Sequence, residues 1–128
     1  MAYYADLEAV LIEFITTIPG VGDVGTDMPH QPVLPFVMVM RVTGHAEYYT
    51  DRGVVDVETF ATTRAASYTL ATTIDTQIVR KLRHSLVGGV PIGRVEPVTA
   101  PFWSNYGDEL LHRHIASYVI HSFYRAQP

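Results

Sequence analysis

His112 and His114 are the two residues whose type and spacing come nearest to chemistry in this chain. On a strand, positions i and i+2 project from one face, and two imidazoles so placed form part of some zinc sites. Such a site needs a third ligand. His121 falls on the opposite parity, and Glu109, His30, His45 and Glu58 are the other residues able to approach. No spacing ties any of them to the pair, so the reading adopted is two half-exposed strand residues flanking Arg113. The carboxylates offer no better. Asp56 and Glu58 share one strand face between apolar neighbours, the ordinary solvent side of an amphipathic strand. No serine lies in a G-x-S-x-G turn, and Gly88-Gly89-Val90-Pro91-Ile92-Gly93 lacks the Lys-Ser/Thr and following helix of a phosphate loop. No catalytic, cofactor-binding or metal site is expected, and the chain reads as something other than an enzyme.

Composition narrows the class further. At 128 residues with 48% apolar content, the chain is one domain, residues 1–128, able to bury a core without disulfides or metals. The absence of cysteine removes thiolate catalysis and thiolate metal sites together. A net charge of −4 argues against a dedicated nucleic-acid binder, which needs clustered cations for phosphate contacts. No apolar stretch approaches the roughly 18 residues of a membrane span, and no basic-then-apolar leader pattern opens the chain.

The elements that must position any site follow from periodicity. Leu7, Val10, Leu11, Phe14, Ile15 and Ile18 form one helical stripe, with Asp6 and Glu8 at its N-terminus and Pro19-Gly20 ending it. A Pro-punctuated segment leaves room for a short strand near Val24–Met28. Phe36 to Gly44 is too apolar for a strand with one wet face, and Val54 to Ala61 alternates. Between them His45 to Gly53 reads as a decorated hairpin tip. A second helix is expected from about Thr63 to Leu86, capped by Thr62, with Arg80, Lys81, Arg83 and His84 crowding its last turns. Its apolar residues are spaced mostly by four, so the stripe should drift around the axis. Ile92 to Thr99 is a short strand whose Pro97 suits an edge, and Leu110 to Arg125 is a long one. The loop between them, from Ala100 to Glu109, holds the single Trp. The fold class is α+β: a mainly antiparallel or mixed five-stranded sheet with two helices, in the order α-β-β-β-α-β-β. Because the central strands are apolar on both parities, either the helices lie on opposite faces or a partner covers what remains. A partner is the favoured reading. Tyr48, Tyr49, Phe102, Trp103 and Tyr106 are large aromatics in loops near arginines, the residue types that dominate protein interfaces.

With these pieces in order, the chain resembles the tail terminator (tail completion) proteins of long-tailed bacteriophages, especially those of actinobacterial phages. The resemblance covers nearly the whole chain. It is carried by the first helix ending Ile18-Pro19-Gly20-Val21, the strand ending Arg41-Val42-Thr43-Gly44 and the Thr50-Asp51-Arg52 run. The strand Val57-Glu58-Thr59-Phe60-Ala61 running into an Ala/Thr-rich helix, and Gly88-Gly89-Val90 before a long last strand, complete it. It implies a virion protein of the tail and neck, assembled in the host cytoplasm. The homo-oligomeric ring, usually of six copies, would cap the tail tube and join it to the head-closure or connector protein, without catalysis or cofactor. DNA would pass through the ring without sequence-specific binding, which an acidic balance suits. On this resemblance Arg41, Glu47, Tyr48, Tyr49, Asp51, Arg52, Trp103 and Tyr106 are expected interface residues. The alternatives are another neck or tail component, a head-closure or tube protein, and a small metal-dependent enzyme built on the histidines.

Overall fold

The structure, a computed structural model, describes residues 2–3, 6–46, 50–123 and 125–126. In chain order the elements are β1 (Ala2–Tyr3), α1 (Leu7–Thr16), β2 (Asp23–Gly25), β3 (Phe36–Ala46), β4 (Thr50–Ala61) and α2 (Arg64–Gln77). A single wide π turn (Ile78–Leu82) extends α2. Then come β5 (Leu86–Val87), β6 (Val90–Ser104), β7 (His112–Phe123) and β8 (Arg125–Ala126). The main sheet has six strands in the order β2-β3-β4-β7-β6-β5, and β1 pairs with β8 in a separate two-stranded ladder. All neighbours in the main sheet run antiparallel except β2 and β3, which makes it mixed. The sequence expectation of five strands is therefore one short, and the missing strand is β5.

The first helix forms where its stripe predicts. The Asp6 carboxylate accepts from the backbone N–H of Glu8 and Ala9 at 3.0 and 3.2 Å, satisfying two of the orphan donors of the first turn. Leu7, Val10, Leu11, Ile15 and Ile18 are all buried. The second helix starts one residue later than expected, because Thr63 rather than Thr62 caps it, its hydroxyl accepting from Ala66 N–H at 3.1 Å. It also stops well short of Leu86. Four-residue spacing in an α-helix would swing Ile78 and Leu82 away from the sheet. The wider turn over Ile78–Leu82 cancels that drift, and Leu70, Ile74, Ile78 and Leu82 all face the core. The expected drift does not occur. His84 then adopts a left-handed conformation (φ 56°), and Gly88 and Gly89 do likewise, turning what reads as a helix end into the β5–β6 hairpin.

Alternation assigns the two sheet faces. Val37 and Val39 of β3, Val55 and Val57 of β4, Ala116, Tyr118 and Ile120 of β7, and Ile92 and Val95 of β6 join the buried residues of both helices in one core. Both helices thus lie on the same face, and among the described residues no second layer covers the opposite face. Both hairpin expectations also shift. β3 and β4 pair through Gly44↔Gly53, His45↔Arg52 and Ala46↔Asp51, past a bulge at Val42, so most of the expected tip is strand. β6 runs on to Ser104, which puts Phe102 and Trp103 on a strand and not in a loop. β5 pairs only with Val90 and Pro91, so the rest of β6, including Pro97, is the expected edge. No helix among the described residues is long and apolar enough to cross a membrane.

Candidate functional site

The expected interface residues divide between the two sheet faces. On the helix face Arg41 forks onto Asp51, with Nη1 and Nη2 donating to the two carboxylate oxygens at 2.5 and 2.7 Å. The Arg41 side chain is 30% exposed and that of Asp51 only 3%. Two glycines make the slot. A Cβ on Gly44 would meet Gly53 Cα at 2.8 Å and the Arg41 guanidinium at 2.9 Å, and one on Gly53 would collide with Leu7. The Arg41 backbone N–H donates to Glu8 Oε2 at 2.9 Å, which ties the β3 edge to the start of α1. The hydrogen bonds to Asp51 raise the guanidinium above its already high ordinary value, against an opposing effect of burial. Arg41 and Asp51 are thus joined to each other within one copy.

Arg52, next in the chain, points to the opposite face. There it lies 3.9 Å from Glu96, which also meets Arg94 at 3.1 Å and His121 at 3.6 Å. Trp103 sits on the helix face under Arg64, whose guanidinium carbon is 4.4 Å from the ring centroid. Tyr106 folds onto the open face, edge-on to Phe60 at 5.0 Å and beneath Arg113 at 5.1 Å. Glu47, Tyr48 and Tyr49 lie outside the described residues.

The open face is mixed in character. Met40, Phe102 and Phe123 are exposed on it, with Met38, Val54 and Ile115 half-buried beside them. Polar pairs punctuate these: Ser117 donates to Asp56 at 2.6 Å, and Arg113 donates to Glu58 at 3.1 Å and to Ser104 at 2.9 Å. The solvent-side reading of Asp56 and Glu58 fails for Glu58, which is buried where Arg113 of β7 and Tyr106 of the loop after β6 lie over this end of the sheet. Burial pushes the Glu58 carboxyl above its ordinary value, and Arg113 opposes this.

The histidine pair is not what the spacing offers. His114 is buried, not half-exposed, because α2 closes over it. Its Nδ1 lies 2.8 Å from Ser67 Oγ, and Ser67 in turn donates to the Thr59 carbonyl at 3.0 Å. That leaves His114 Nδ1 as the donor, so the residue serves as a neutral strut between β7, β4 and α2. His112 keeps the half-exposed position expected of it. No group of three or more His, Asp or Glu able to hold a metal occurs among the described residues. Sequence reasoning missed two further contacts of α2: the Ser67 hydroxyl under His114, and Tyr118 OH donating to Asp75 at 2.6 Å. Burial and Asp75 hold the Tyr118 hydroxyl far above its ordinary value. Ser67 sits at i+4 from its cap Thr63 on the buried stripe, the one signal that could have found it.

Burial, then Arg64 and His112, lower His114 below its ordinary value near 6.5. A proton therefore binds the unfolded chain more readily. The stability contributed by neutral His114 is complete above the unfolded value and is lost as pH falls through it toward the folded one. Glu58, raised in the fold, acts in the opposite direction at lower pH. Urea unfolding of wild type should thus weaken between about pH 7.5 and about pH 5.5 more than that of His114→Gln, which keeps a donor to Ser67. Equal losses in the two proteins would show that His114 is not held neutral.

No protein-family model matches the chain, and no curated protein matches it. Among solved structures, its fold is similar to that of a chain in the virion of the native gene transfer agent (GTA) particle. The TM-score is 0.55 at 13% identity, over 95% of this chain and 87% of that one. At this identity the likeness is one of fold.

Proposed function

We infer that the chain is a structural protein of a phage-like particle, and within that class a tail terminator: a ring of copies that closes the finished tail tube and joins it to the neck. The likeness of fold along almost the whole chain to a chain of the GTA virion supports the first part of this reading, and the resemblance of the element order to tail terminators motivates the second. The physical character of the molecule supports it. Both helices cover one sheet face, the other is left partly apolar, and β3 and β6 keep long stretches of unpaired edge. Such edges and faces are the raw material of contacts between copies. Of the histidine pair on which the catalytic alternative was built, His114 is committed to Ser67.

Purified protein mixed with tail tubes of its own particle tests the assignment. Electron microscopy should show a single added ring at one tube end, with further addition of tube subunits blocked there. Tubes that keep growing from bare ends, with the protein still monomeric beside them, would overturn it.

A further inference from the structure

Among the described residues most cations are committed. Arg41, Arg52, Arg94 and Arg113 meet carboxylates, and Arg64 stacks on Trp103. Arg80, Lys81 and Arg83 are the exception: all are exposed on the π turn and the residues after it, with no ion pair among the described residues. Beside them Leu86 projects from β5, 70% exposed. A charge run alone is usually only a solvated surface. Here it forms the rim of an apolar knob, and the knob is pinned in place by His84 N–H donating to Gly93 O at 2.9 Å at the start of β6.

The complement of that knob lies at the other end of the same strand. Around Trp103 there are two adjoining hollows. One, of about 520 Å³ on the helix face, is lined by Tyr68, which is 54% exposed, with Trp103, Pro101 and Arg64. The other, of about 320 Å³, is rimmed by Asp108 and Glu109. Both acids are exposed and make no ion pair among the described residues. From Gly93 to the end of β6 is roughly 30 Å of strand, so a copy cannot bring its own knob to its own hollow. A second copy can.

Resting on the ring reading, we propose that copies join head to tail, with the Arg80–Leu86 turn of one seated on the Trp103 hollows of the next. Leu86 enters the aromatic hollow, and the basic residues face Asp108 and Glu109. The two surfaces of this contact differ, so it is heterologous, and repeating it generates a ring when the rotation closes. Charge pairing at the rim fixes register and partner, and apolar burial in the hollow holds the contact.

Sedimentation at low salt tests the contact. Arg80→Glu with Arg83→Glu, or Asp108→Arg with Glu109→Arg, should each weaken self-association by about tenfold or more, and all four in one chain should return it to within about threefold of wild type. Leu86→Ala, which leaves every charge in place, should also weaken it. Circular dichroism and melting of each variant should stay close to wild type, since every altered residue is exposed and the one hydrogen bond lost among the described residues is that from Leu110 N–H to Asp108. If wild type associates and the reversed variants associate equally well, or the fourfold variant is no better than its halves, this contact is wrong and the ring reading stands. Wild type that stays monomeric throughout overturns the contact, while the ring reading is decided separately at the tube ends.

Discussion

Arg41→Met should destabilise the isolated domain by about 3 kcal/mol, the lower end of what removing one partner of a buried ion pair costs. The reason lies with Asp51 and not with the lost arginine. Asp51 is almost fully buried on the helix face, and both its oxygens receive the Arg41 fork. Take the fork away and an almost fully buried carboxylate is left without its cation. Against the 5–15 kcal/mol that typically holds a domain, a loss of this size should lower the melting temperature by roughly 10 °C. Arg41→Lys should recover little, because an ammonium cannot reproduce the two-pronged geometry. Arg41→Met combined with Asp51→Asn should recover most of the stability, since no charge is then stranded. Urea titration of these four proteins together with Asp51→Asn alone measures the coupling. If Arg41→Met unfolds with wild type, the pair is not structural, and Arg41 is free for the partner contact that the family resemblance implies.

That same pair shows what was and was not legible in the sequence. The strand bearing Arg41 could be placed from its apolar run, most of the strand bearing Asp51 from its alternation, and the first helix from its stripe and the acidic residues at its start. Their pairing could not, because it depends on β4 carrying Asp51 inward and Arg52 outward, and the expected loop from His45 to Gly53 hid that parity. A one-residue change of register exchanges the two faces. The end of α2 was misread for a related reason. Basic residues followed by Gly88-Gly89 are a sound helix-end signal. The chain nevertheless leaves the helix several residues earlier, through a π turn whose only trace is the four-residue spacing of Leu70, Ile74, Ile78 and Leu82. Glu58 and His114 were placed outside because strand parity gives a face but not what covers it. The covers, the Tyr106–Arg113 corner and the first turns of α2, come from elsewhere in the chain.

The expected partner at the sheet would meet the face that the helices leave open. With both helices on one side, the described residues place only a loop over one end of the face bearing Met40, Phe102 and Phe123. Polar pairs such as Ser117–Asp56 and the Glu96 cluster keep that face wettable. A chain that folds alone and then assembles needs this combination: enough polarity to stay dispersed before assembly, and enough apolar area to gain from it. A face as apolar as the helix side would bind indiscriminately.

Disrupting the gene in the particle that encodes it has the largest expected effect of any experiment on this protein. A ring that caps the tube acts as a stop, and without it nothing ends the addition of tube subunits and nothing offers the neck a surface to join. Electron microscopy of the resulting lysate is the most direct measurement of the central claim. The account predicts tails of widely varying length, many far longer than normal, unjoined to filled heads, and restored to uniform length when the protein is supplied from a plasmid. Uniform tails joined normally to heads in the absence of the protein would contradict it.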